Sequence, residues 1–130
     1  LNGLTHLGIS PYGFPNHMIE HSMSAISDVP HGAGLSVIMP AWMQWYQSQR
    51  PAQFKRFAKE IFGLDKAEDG ILALKAWFDK ISTPTTLEQL GIDDKTVSEI
   101  VDNAVQTAIR AKVEKTYTKE AIEAIFALAK

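Results

Sequence analysis

Histidines 17, 21 and 31 are the residues of this 130-residue chain whose type and spacing offer chemistry. They are three of its four histidines and share the stretch NHMIEHSMSAISDVPHGAGL, residues 16–35. His17 and His21 stand four apart, which sets two imidazoles on one helix face a turn apart. That spacing is one way for a single helix to offer two ring nitrogens to a metal. Glu20 directly precedes His21, so the zinc-protease order, with the glutamate after the first histidine, is absent. His31 follows a break at Pro30 and precedes Gly32, so the chain can turn back and set a third imidazole against the first helix. Neutral imidazole suits Zn²⁺ and Fe²⁺, and three from so short a span can converge on one point. The plainer alternatives are an ordinary pair on a helix surface and a His31 that opens a helix and bonds locally.

Other candidate chemistry is thin. His6 lies in a loop-like N-terminal stretch and carries no assignment. Gly32-Ala33-Gly34 is not a dinucleotide fingerprint, because no strand precedes it and the third glycine is missing. The aromatics Trp42, Trp45 and Tyr46 read as core. No Ser/His/Asp triad or paired-carboxylate arrangement stands out.

The elements that must position these histidines read as helices throughout. Residues 1–13 suggest one short helical turn before a loop at Ser10–Gly13. Pro15 suits the first turn of a helix carrying His17 and His21. That helix is expected to end about Asp28–Pro30, with Pro30 holding Val29 out of helical space and Asp28 free to cap the next helix. His31 opens this second helix, which has an apolar stripe of Leu35, Ile38, Met39, Trp42, Met43 and Tyr46. Pro40 inside it predicts a kink, and this helix is the expected centre of the core. A third helix runs from Pro51 through Phe62 to a stop at Gly63, with Phe54, Phe57, Ala58, Ile61 and Phe62 inward. Asp65 or Asp69 caps a fourth through Ile81 that buries Ile71, Leu74, Trp77 and Phe78. A turn around Pro84 comes next, then a short helix stopped by Gly91. Asp93 or Asp94 opens a helix from about Lys95 to Ala111, and Thr118 opens the last, to Leu128. No segment alternates with the period of a strand. The fold class is all-α and the chain reads as one domain.

Composition narrows the functions. Hydrophobic residues make up 45% and charged residues 22%, which argues for a globular protein and against disorder. A net charge of -2 supplies no basic field for nucleic acid. With no cysteine, disulfides and thiolate–metal sites are excluded and a reducing compartment is permitted. No apolar run nears the roughly 20 residues of a membrane span. No signal-peptide pattern opens the chain, and a cytoplasmic location is expected. It opens on Leu1 without a methionine, as a fragment, a proteolytic product or a trimmed chain would.

The stretch NHMIEHSMSAISDVPHGAGLSVIMPAWM resembles the C-terminal signature of the iron-containing (group III) alcohol dehydrogenases, in their butanol dehydrogenase-like branch. The shared pattern is His-x-x-x-His, an Ala-rich turn, Asp-x-Pro-His-Gly-x-Gly and an apolar run ending in proline. The later Pro84-Thr-Thr-Leu-x-x-Leu-Gly-Ile and Tyr117-Thr-Lys-Glu-Ala-Ile are similar to that family's tail. The resemblance thus covers essentially the whole chain.

It implies a multi-helix C-terminal domain of the dehydroquinate synthase-like architecture, residues 1–130, preceded in the family by an α/β dinucleotide-binding domain. The family's metal takes an Asp and a His four apart on one helix, then two more histidines. By resemblance the last two are His17 and His31, against the spacing argument that pairs 17 with 21. His21 matches a histidine near the metal and nicotinamide that is not a ligand, placed to orient the cofactor or pass a proton. Phe14 and residues near Trp42 are expected to line an apolar pocket. The implied activity is hydride transfer between a primary alcohol or aldehyde and NAD(P), with Fe²⁺ or Zn²⁺ as metal. NADH or NADPH would be held mainly by the preceding domain, and the complete enzyme is expected to be a homodimer. By itself the chain, with half the metal ligands and little of the nucleotide site, is expected to be inactive. The competing expectation is a non-enzymatic helical domain that binds a metal or a partner.

Overall fold

The computed structural model describes residues 15–130. The expectations for the N-terminal turn, His6 and Phe14 lie outside them. Among the described residues six α-helices occur in order: α1 Pro15–Ser27, α2 His31–Tyr46, α3 Pro51–Phe62, α4 Ala67–Lys80, α5 Asp94–Arg110 and α6 Lys119–Leu128. Short 3₁₀ turns occupy Gln47–Gln49 and Glu88–Leu90. No strand occurs among the described residues, so the fold is all-α.

The ends obey local chemistry. Pro15 and Pro51 open α1 and α3, where the absent N–H breaks no helical bond. Gly63 closes α3 at φ 67°, donating to the Lys59 carbonyl while Leu64 donates to Ala58. The Gly63 bond is the 5→1 bond of an αL helix end, and the left-handed residue at its corner favours glycine. The Asp93 carboxylate accepts from the Thr96 N–H at 2.8 Å to cap α5, and Thr118 Oγ1 caps α6 from Ala121 at 3.2 Å. The Thr96 bonds hold the Asp93 carboxyl below its ordinary pKa. Neither Asp65 nor Asp69 caps α4: Lys66 holds the N-cap position without a side-chain bond, and Asp69 falls in the first turn. There it complements the helix dipole instead.

α2 is the hub. It packs against α1, α4 and α6, while α1 also packs on α5, α5 on α6, and α3 on α4. A hub is apolar on more than one side, which a single-stripe reading misses. Val37, Ser36, Pro40 and Ala41 are buried along with the expected Ile38 and Met43. Pro40 sits inside one continuous helix. Four residues before it, the Ser36 hydroxyl donates to the carbonyls of Ala33 at 2.9 Å and Pro84 at 2.5 Å. The helix is thereby tied to the turn before α5.

The main core joins Ile19 and Met23 of α1 to Val37 and Ile38 of α2, Ile100 and Ala104 of α5, and Ile122 and Phe126 of α6. Each such large side chain contributes roughly 1.5–3 kcal/mol by leaving water. A smaller cluster of Met43, Phe54 and Ile71 holds the α3–α4 pair to the end of α2. Trp42 packs on both clusters and donates from Nε1 to the Tyr117 hydroxyl at 3.0 Å. It therefore joins two parts of the core. Two expected core residues are surface residues: Ile61 is 64% and Trp77 49% exposed. With α3 and α4 packed mainly on each other, each buries a strip too narrow to include them.

Candidate metal centre

α1 carries the histidines on the side away from its core face. At about 3.6 residues per turn, Ile19 and Met23 share the inward side, while His17, His21 and Ser24 share the outward one. Glu20 borders the two. Met23 and Ile19 anchor this orientation, both fully buried.

A left-handed residue brings His31 back. Asp28 has φ 52° and donates its N–H to the Ser24 carbonyl at 3.0 Å, ending α1 in one sharp step. Asp tolerates this region better than most residues. Asp28 thus reverses the chain and does not cap α2, whose N-cap is Pro30 with no side-chain bond. Val29 and Pro30 then carry His31 over the outer side of α1.

The three rings come together. Their centroids lie 5.4 Å apart for His17 and His31, 5.3 Å for His21 and His31, and 6.3 Å for His17 and His21. All three residues are exposed. Two shallow depressions, one at the start of α5 and one beside Pro84, are lined by other residues. The histidines occupy an open face of the chain.

Glu20, which the sequence reading weighed only against the zinc-protease order, joins the histidines in the structure. Its side chain is 0% exposed, and one carboxylate oxygen contacts Nδ1 of His31. The other accepts from the Ser24 hydroxyl, which also lies 3.1 Å from the Val29 carbonyl. Gly34 on α2 makes the space: a methyl there would lie 2.7 Å from both Cγ and Oε1 of Glu20. The signal was present in the sequence. Glu20 and Ser24 are four apart, and an acid between two histidines on a half-apolar helix needs a partner.

Glu20, His21 and His31 each bring one ligand atom within 4.8 Å of the other two. This grouping holds His21 where the family resemblance assigns His17. The Glu20–His31 contact, however, already occupies Nδ1 and one carboxylate oxygen. What the pair leaves for an ion is the opposite nitrogen of His31, Nε2. Exposed imidazoles, one backed by a carboxylate, fit a borderline divalent cation of the Fe²⁺ or Zn²⁺ type.

The model of the Fe-containing alcohol dehydrogenase family, C-terminal part, matches residues 13–129. The chain belongs to the Fe-containing alcohol dehydrogenase family. Among its members, the probable NADH-dependent butanol dehydrogenase 1 of Bacillus subtilis is 32% identical over 113 residues, which are 81% of this chain and 29% of that protein. The crystal structure of NADH-dependent butanol dehydrogenase A from Thermotoga maritima superposes with a TM-score of 0.80 at 37% identity. It is matched over 88% of this chain and 32% of its own. The aldehyde reductase YqhD of Escherichia coli shares the fold, with a TM-score of 0.77 at 17% identity over 88% of this chain and 32% of that one. The chain therefore spans about 30% of the length of these relatives. Among its own described residues, no helix is long and apolar enough to cross a membrane.

Proposed function

We propose that this chain is the C-terminal, metal-holding part of an NAD(P)-dependent dehydrogenase that interconverts primary alcohols and aldehydes. The observation that carries the reading is the convergence of the three imidazoles, at centroid separations of 5.3–6.3 Å, in a member of the iron-containing family. Histidines serving only local structure would have no reason to meet from two helices across a chain reversal.

In this reading His17 and His31 hold a divalent metal, Fe²⁺ or Zn²⁺, through ring nitrogens. The metal, when bound, supplies Lewis-acid polarisation of the substrate oxygen. His21 stands beside them, one turn of α1 beyond His17. It contacts the nicotinamide or passes a proton to and from the substrate oxygen. The butanol dehydrogenase and aldehyde reductase names of the relatives support a small alcohol or aldehyde as the substrate class. The remaining ligands and most of the NADH or NADPH site come from a preceding α/β domain, and the complete enzyme acts as a homodimer. The open histidine face is then one wall of a cleft, and the chain alone turns over no alcohol.

Alanine substitution in the complete enzyme tests the assignment. His17→Ala and His31→Ala should each lower bound metal at least about tenfold and abolish turnover, since each removes one protein ligand. His21→Ala should keep its metal and lose turnover. Full metal content and activity in His31→Ala would refute the reading.

A further inference from the structure

We propose that Glu20 is a positioning residue for the metal site, acting through His31. Its buried carboxylate accepts the Nδ1–H of that ring and so holds the tautomer whose Nε2 is a free ligand. The inference rests on the metal-site reading above but starts from a separate observation, a carboxylate with 0% exposure on a helix whose neighbouring turns carry Ile19 and Met23. Taking a carboxylate out of water is expensive unless donors replace its hydration. The donors here are the Ser24 hydroxyl on one oxygen and the His31 ring on the other. Among the described residues, no lysine or arginine forms an ion pair with Glu20.

In the proposed arrangement the carboxylate accepts and Nδ1 carries the proton, which leaves the ring's lone pair on Nε2. Metal-ligating histidines are commonly oriented in this way by an outer carboxylate, which also raises their basicity. Glu20 does not fit a direct ligand as well. Both of its oxygens are engaged and its side chain is wholly buried, whereas that of His31 is 48% exposed. The carboxylate lies behind the ring. Gly34 is part of the same device, since only the absence of a side chain there leaves room for the Glu20 arm.

The test reads the tautomer first and the metal second. Long-range ¹H–¹⁵N correlation on the metal-free, ¹⁵N-histidine-labelled chain, at a mildly alkaline pH where imidazole is neutral, should show His31 as the Nδ1–H form. Glu20→Leu should shift it toward Nε2–H, while Glu20→Gln, whose amide oxygen still accepts, should retain Nδ1–H. In the complete enzyme, Glu20→Leu should weaken metal affinity about 10–100-fold, and Glu20→Gln should recover most of that loss. An Nε2–H form of His31 in the unsubstituted chain overturns the proposal without any variant, so misfolding of Glu20→Leu cannot shelter it. Equal metal affinity in Glu20→Leu and the parent overturns it as well. Metal content indifferent to His31→Ala would sink the metal-site reading instead, and the tautomer result tells those two failures apart.

Discussion

Adding a single methyl at Gly34 tests how tightly α1 and α2 are matched around the histidine face. In an open helix, Gly→Ala gains about 1 kcal/mol from backbone entropy. Here the new Cβ would sit 2.7 Å from Cγ and Oε1 of Glu20 and 3.1 Å from Cδ, against ordinary contacts that begin near 3.4 Å. The arm must retreat by about 0.7 Å, the difference between 3.4 and 2.7 Å. It is fully buried, with Ser24 and His31 bonded to its two oxygens, so retreat breaks at least one of those bonds. Overpacking costs about 1–3 kcal/mol, and a hydrogen bond to a charged group contributes about 1.5–3 kcal/mol. The two costs overlap, because the arm relieves the clash by giving up the bond. After the propensity gain, a net loss of about 0.5–2 kcal/mol remains, or roughly 2–8 °C in Tm for a chain of this size. Urea denaturation monitored by far-UV circular dichroism measures it. The double-mutant cycle is the sharper assay. With Glu20→Ala in place the clash has no partner, and Gly34→Ala should become neutral or stabilising. Gly34→Ala as stable as the parent, or an unchanged cost in the Glu20→Ala background, would refute the reasoning.

Two other glycines and one buried phenol give three further outcomes. At Gly70 an added Cβ would meet the Ala58 Cβ at 2.5 Å and its Cα at 2.7 Å, so α3 and α4 must move apart. Gly70→Ala should lose about 1–3 kcal/mol and regain part of it when Ala58→Gly is added, whereas Gly32→Ala, with nothing within 4 Å, should gain a few tenths to about 1 kcal/mol. Burial pushes the Tyr117 hydroxyl up to about 12 from 10.0, against the opposing effect of the Trp42 hydrogen bond. The folded chain therefore keeps its phenol proton where the unfolded chain loses it. Stability should be intact below pH 10 and fall as pH rises towards 12, and Tyr117→Phe should flatten that decline in the denaturation midpoint.

Much of the helical framework was legible because its signals are local. Proline at the first turn, glycine in left-handed space and a capping oxygen each act within a few residues, and the bounds at Pro15, Pro51, Gly63, Asp93 and Thr118 came out as read. Face assignments fared worse where they depended on what lies opposite. Trp77 is large and apolar at the right period, yet no element among the described residues covers it, and Ile61 is left exposed in the same way on α3. On α2 the error ran the other way, with Val37, Ser36 and Ala41 buried beyond the expected stripe because three helices surround it.

The chain's sequence by itself determined an all-helical framework, the shared face of His17 and His21, and the break that frees His31 from that helix. Helical period and proline geometry act through bonds and near neighbours, so those features needed no partner to be read. The Pro-His-Gly pattern also carried the family resemblance that the match to the family's C-terminal part then showed. Only the tertiary structure decided where His31 goes and what stands behind it. Asp28 had two local options, a cap for α2 or a left-handed stop for α1, and the packing of the two helices selected the second. For Glu20 the sequence likewise hints at a need for a partner without showing that His31 supplies it. The burial of Glu20 arises because α2, stripped of a side chain at Gly34, lies close enough to cover it while His31 and Ser24 replace its water.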